Sequence, residues 1–132
     1  MEENRETKVT RILLVDDDMI FGKNLATILR ERGYETGLAD SANSAFEKLA
    51  EEKFDIVLLD VKLPDISGTE VFKKIKQDNP DIDIIMITAF SCDLLVKQLA
   101  EKSKFYCFSK PFDINEVLGA VDKLAKEKEG NE

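Results

Sequence analysis

Three short runs along the chain are apolar without interruption and mostly branched: Ile12-Leu13-Leu14-Val15, Ile56-Val57-Leu58-Leu59 and Ile84-Ile85-Met86-Ile87. Runs of this length without polar alternation fit strands covered on both faces, as in a parallel sheet. Phe105 to Phe108 is a shorter fifth strand pattern, and Tyr34 to Ala39 a more polar second one. Between the runs, apolar positions recur at helical spacing. Phe21, Leu25, Ile28 and Leu29 mark a first helix, stopped at Gly33, and Ala42, Ala45, Phe46, Leu49 and Ala50 a second, with Ser41 or Asn43 near its N-cap. Val71, Phe72 and Ile75 mark a third, which starts near Gly68 and stops near Asn79-Pro80. Leu94, Leu95, Leu99 and Ala100 mark a fourth, and Ile114, Val117, Leu118, Val121 and Leu124 a fifth. Residues 1 to 9 and Lys126 to Glu132 read as polar, solvated ends.

Five strand-helix units in succession predict an α/β fold, a doubly wound parallel sheet with helices on both faces. The polar second strand suits an edge, so the first and third strands lie side by side. The first helix and the second then leave on opposite faces, and a crevice opens at the carboxyl ends of the strands where the order reverses. The length predicts one domain, residues 1–132, with a core from about 11 to 124.

Charge and composition narrow the function. With 27 acidic and 19 basic side chains, net −8, the chain lacks the basic face that direct nucleic-acid binding needs. It has no apolar run of membrane-spanning length, and Met1-Glu2-Glu3-Asn4-Arg5 is no signal peptide, so a cytoplasmic location without membrane contact is expected. The absence of histidine excludes a Ser-His-Asp or Cys-His triad, a His-ligated metal and a phosphohistidine on this chain. Cys92 and Cys107 have no metal-ligand spacing and are expected to be reduced thiols.

The polar residues that follow the runs carry the chemistry. Asp16-Asp17 ends the first strand, Asp60 the third, Thr88 the fourth and Lys110 the fifth, while Asp18 reads as a helix N-cap. Three carboxylates at one rim repel one another and call for a cation or a raised pKa. Oxygen ligands alone suit Mg²⁺. Aspartate is a phosphoryl nucleophile, and phosphoryl transfer asks chiefly for positioning and charge neutralisation. On this reading Asp60 accepts a phosphoryl group, Lys110 adds a fixed positive charge and Thr88 offers a hydroxyl.

Taken together, Ile12-Leu13-Leu14-Val15-Asp16-Asp17-Asp18, Ile56-Val57-Leu58-Leu59-Asp60, Leu63-Pro64 with Gly68, Thr88-Ala89 and Lys110-Pro111-Phe112 resemble the receiver domain of two-component response regulators, from about Arg11 to Leu124. The resemblance implies a flavodoxin-like sheet ordered 2-1-3-4-5. It implies that Asp60 is phosphorylated and that Asp16, Asp17, Asp60 and the backbone carbonyl of Lys62 hold Mg²⁺. Thr88 and Lys110 would be the switch residues and Lys110-Pro111 a cis peptide, a form that X-Pro bonds tolerate. The donor would be a histidine kinase or a histidine phosphotransfer protein, and the receiver of the signal a downstream effector. The family's usual dimer face is made by the fourth helix, fifth strand and fifth helix. Such a domain is a phosphoacceptor and not an enzyme with a separate substrate.

Two places depart from the family pattern. Cys107 stands where receivers carry Tyr or Phe, and Ser103-Lys104 where they carry Gly-Ala. Cys107 shares a strand face with Phe105 and Ser109, opposite Tyr106 and Phe108. It either packs as a small apolar residue or reads out activation, with Phe90 as the side chain that fills the space above it. Three other readings stand beside the receiver: a phosphorylation-independent interaction module, an aspartyl-phosphate phosphatase, and a flavodoxin-like cofactor binder, whose phosphate loop three aspartates would repel.

Overall fold

The computed structural model describes residues 9–89, 92–99 and 105–130. Strands and helices alternate as β1 (Arg11–Val15), α1 (Met19–Glu31), β2 (Glu35–Ala39), α2 (Ala42–Glu51), β3 (Ile56–Asp60), α3 (Gly68–Asp78), β4 (Asp83–Thr88), α4 (Cys92–Leu99), β5 (Tyr106–Ser109) and α5 (Ile114–Gly130). The strands form one parallel sheet in the order β2-β1-β3-β4-β5, as expected.

Period-two alternation along each strand divides the core into two layers. Leu13, Val15, Val57, Leu59, Ile84 and Met86 face α2, α3 and α4, where they meet Ala42, Ala45, Val71, Phe72, Ile75, Leu95 and Leu99. Ile12, Leu14, Ile56, Leu58, Ile85 and Ile87 face α1 and α5, against Leu25, Ala26, Leu29, Val117, Val121 and Leu124. Each Val, Leu, Ile, Met or Phe among them contributes roughly 1.5–3 kcal/mol when fully buried. The two apolar layers therefore hold the sheet, and the polar rim is free to be arranged for other purposes.

Register does that arranging. Val15 pairs with Leu59 across β1 and β3, so the next residues, Asp16 and Asp60, leave the sheet side by side. Asp60 is level with Ile87 of β4, and Thr88 with Ser109 of β5. The helices that follow are capped by side chains. Asp18 accepts from the Phe21 N–H, Ser41 from the Ser44 N–H and Ser67 from the Glu70 N–H.

Three expectations are corrected. The strand pattern at Phe105 to Phe108 is shifted by one, since Phe105 precedes the strand and Ser109 ends it. The segment from Lys126 is no solvated tail up to Gly130. It continues α5, and Lys128 donates to the Asp81 carbonyl at 2.7 Å and pairs with Asp83 at 3.5 Å. Charged residues carry no apolar period, which is why the pattern ended too early. Cys92 and Cys107 are not separate thiols. They form a disulfide, with Cα atoms 5.9 Å apart, because the fold brings the first turn of α4 onto β5. Phe90, Ser103 and Lys104 lie outside the described residues.

At Gly68 the start of α3 lies against the backbone that follows the site-bearing strand. A Cβ there would lie 2.4 Å from Val61 Cα and 2.9 Å from the Asp60 carbonyl oxygen. The Gly68 N–H donates to the Val61 carbonyl at 2.7 Å, which closes the turn after Asp60. Since the obstacle is backbone, Gly68→Ala is expected to destabilise by about 2 kcal/mol or more. Urea unfolding of the variant measures this, and an unchanged midpoint would show that the turn can open without cost.

Candidate functional site

Asp16 lies just past β1, its N–H donating to the Ala39 carbonyl at 3.0 Å and its Oδ1 accepting from the Asp18 N–H at 2.9 Å. Asp60 ends β3, and its Oδ1 accepts from the Lys62 N–H at 3.1 Å. Both residues are 7% exposed, whereas Asp17 is open to solvent. One oxygen from each of Asp16, Asp17 and Asp60 lies within 4.8 Å of the other two. Among the described residues, this is the group of acidic side chains close enough to share an ion.

The charge around this cluster is unbalanced. Lys110 Nζ stands 3.6 Å from Asp60 Oδ2, one cation against three acids. Burial pushes the Asp16 carboxyl up from 3.8 to about 6. The Asp18 N–H and Lys110 oppose this rise, and the charge of Asp60 and a hydrogen bond shared with it add to it. An all-oxygen set with surplus negative charge fits a hard divalent cation such as Mg²⁺. The donors present therefore suit the expected ion.

Thr88 is fully buried at the end of β4, and the Lys110 N–H donates to its carbonyl at 2.7 Å, so the two strand ends are tied together. The Lys110–Pro111 peptide is cis. The lysine ammonium lies 5.5 Å from the centroid of the Phe21 ring, which meets Phe112 edge-on at 5.8 Å. The Phe21 ring thus offers the ammonium its electron-rich face. Asp16, Asp17, Asp60, Thr88 and Lys110 thus stand at one rim. Cys107 lies two residues inside β5 from Ser109, away from the acids.

Two residues near the site gave no sequence signal. Phe21 looked like helix core, yet its ring flanks Lys110. Asp65, in the loop after Asp60, accepts from the Ala42 and Asn43 N–H groups at 2.9 and 3.0 Å, which holds its carboxyl below the usual range. It secures the start of α2 to the loop that follows the site. Only an acid beside Leu63-Pro64 could have hinted at it.

Comparison with known proteins gives a consistent set. Residues 12–122 match the model of the response regulator receiver domain. The chain is 34% identical over 113 residues to sporulation initiation phosphotransferase F of Bacillus subtilis, covering 86% of this chain and 91% of that protein. It is 37% identical over 107 residues to transcriptional regulatory protein ZraR of Klebsiella oxytoca, covering 80% of this chain but 24% of ZraR. Among solved structures it is similar to response regulator protein TrrA of Thermotoga maritima in complex with Mg²⁺-BeF. That match has 34% identity and a TM-score of 0.78, and covers 88% of this chain and 99% of that one.

The raised Asp16 pKa has a consequence for stability. Between 3.8 and about 6 the folded chain binds more protons at Asp16 than the unfolded chain does. Its contribution to metal-free stability therefore falls as pH rises through that window, and the loss is complete above it. Asp16→Asn removes the charge and keeps an acceptor for the Asp18 N–H. The variant should match the wild type at the acid end of the window and exceed it near pH 7, by up to about 3 kcal/mol. Urea unfolding without metal at both pH values reads the difference. Equal stability near pH 7 would mean that Asp16 is not strained by its surroundings.

Proposed function

Because the chain belongs to the response regulator receiver domain family, we propose that Asp60 is the side chain on which it accepts a phosphoryl group. The observation that carries this is the position of Asp60. It is buried at the end of the central strand, and its carboxylate stands with the other two acids and 3.6 Å from the Lys110 ammonium.

An Asp60 oxygen attacks the phosphorus of a phosphohistidine on a partner histidine kinase or phosphotransfer protein. The P–O bond forms as the P–N bond breaks, and the electron pair returns to the imidazole. This chain has no histidine, so the donor imidazole is the partner's. Asp16, Asp17, Asp60 and the backbone carbonyl of Lys62 would hold Mg²⁺, which supplies charge neutralisation for the incoming group. Lys110 offsets further charge on the phosphoryl oxygens, and the Thr88 hydroxyl donates to one of them. The Lys62 N–H already holds one Asp60 oxygen, which fixes the carboxylate plane.

Thr88 and Lys110 then carry the change to β4 and β5, whose ends they share. The surface made by α4, β5 and α5 answers by altering its affinity for a downstream effector or for a second copy of the chain. The catalytic groups act only on this chain's own phosphorylation and dephosphorylation. Residues 1–132 are read as one receiver domain with its core near 11–124, working in the cytoplasm. With a net charge of −8 it is not expected to bind nucleic acid directly. Among the described residues no helix is long and apolar enough to cross a membrane.

Acetyl phosphate with Mg²⁺ should add one phosphoryl group to the wild-type chain and none to Asp60→Asn, as read by intact mass. Full labelling of the variant would move the acceptor elsewhere. A wild type that stays unlabelled would favour the phosphorylation-independent interaction module.

A further inference from the structure

The disulfide stands at a place where a covalent tie has consequences. Cys92 is the first residue of α4, four residues after Thr88 in sequence. Cys107 is level with Met86 of β4, and Ser109, two residues on, is level with Thr88. The bond therefore ties the first residue of α4, just after the end of β4, to the interior of β5. Both cysteines are only half-buried, and the exposed Ser109 donates its hydroxyl to Cys92 Sγ at 3.3 Å. Residues of intermediate burial are open enough for a small oxidant and a reducing dithiol to reach them. Cys107 also packs with Phe105 onto the layer that holds Met86, Leu95 and Leu99. The same side chain thus packs on the core layer that α4 shares and holds the first turn of α4 by the bond.

We infer that Cys92 and Cys107 form a reversible thiol–disulfide site that gates the path from Thr88 to α4. In the oxidised chain the first turn of α4 is fixed to β5, so a shift of Thr88 toward a phosphoryl group stays local. In the reduced chain α4 is released and follows that shift. The inference rests on the function proposed for Asp60, since without a phosphoryl group there is no shift to gate.

The chemistry balances with a peroxide as oxidant and a dithiol as reductant. One cysteine thiolate attacks a peroxide oxygen, the O–O bond breaks, and a sulfenic acid forms with release of hydroxide, which takes up a proton as water. The second thiol displaces the sulfenic oxygen as water, leaving the S–S bond. The two sulfurs lose two electrons and hydrogen peroxide gains them. In reverse, a dithiol attacks the bond, passes through a mixed disulfide and leaves as its own disulfide, returning two thiols.

The test uses the whole chain in both redox states. Dithiothreitol should add two hydrogens to the intact mass and hydrogen peroxide should remove them, whereas neither Cys92→Ser nor Cys107→Ser should form the bond within one chain. Hydrogen exchange of the peptide spanning 92–99 is then compared with and without Mg²⁺ and beryllofluoride. The reduced wild type and the Cys92→Ser/Cys107→Ser variant should show a change in exchange, and the oxidised wild type should lose it. Reduced wild type answers the question by itself if the double variant fails to fold. A folded chain whose thiols do not interconvert with the disulfide would overturn the inference, and so would an equal change in exchange in both redox states. Labelling of Asp60 by acetyl phosphate is followed in parallel. Its absence in both states would instead count against the proposed function.

Discussion

Three carboxylates and one ammonium at the rim of a parallel sheet set the terms for this molecule. Asp16 and Asp60 are pressed together because Val15 and Leu59 are in register one step earlier. That register cannot slip, since a shift of one residue would turn the apolar side chains of both core layers to the wrong face. The repulsion is therefore imposed by the burial of Ile12 to Val15 and Ile56 to Leu59. Burial of the Asp16 carboxyl, with the charge of Asp60 adding to it, raises its pKa to about 6. A site strained in this way favours whatever brings positive charge to it.

The surrounding loops keep the strain in place. Gly68 lets α3 start against the backbone of Asp60 and Val61, so the acid-bearing turn is tight. Asp65 anchors the same loop to the first turn of α2. On the other side, the bond from Lys110 to the Thr88 carbonyl joins the end of β5 to the end of β4, with Phe21 beside the lysine ammonium and Phe112 edge-on to Phe21.

The strands and the acids were legible for the same reason. A strand buried on both faces shows up as an unbroken apolar run, and a polar residue at its end has no packing role that would explain it. Asp16, Asp60, Thr88 and Lys110 were found in this way, and the polar Tyr34 to Ala39 marked the edge strand. What escaped depends on contacts that no local period encodes. The Cys92–Cys107 bond joins an element start to a strand interior that meet only in the folded chain. Lys128 continues α5 through charged residues and finds Asp83 at the far end of β4. Asp65 reaches a helix start more than twenty residues earlier in the chain. Long-range polar contacts of this kind leave no pattern in sequence.

The central claim is that one acid of the three is the nucleophile, and that Lys110 and the strand end select it. Reductive trapping tests this directly. After reaction with acetyl phosphate and Mg²⁺, borohydride cleaves an aspartyl phosphate to homoserine, and peptide sequencing by mass spectrometry then locates the altered residue. Homoserine should appear at position 60, with Asp16 and Asp17 intact. Homoserine at 16 or 17 instead, or its absence from a chain that carries the phosphoryl group, would contradict the assignment of Asp60.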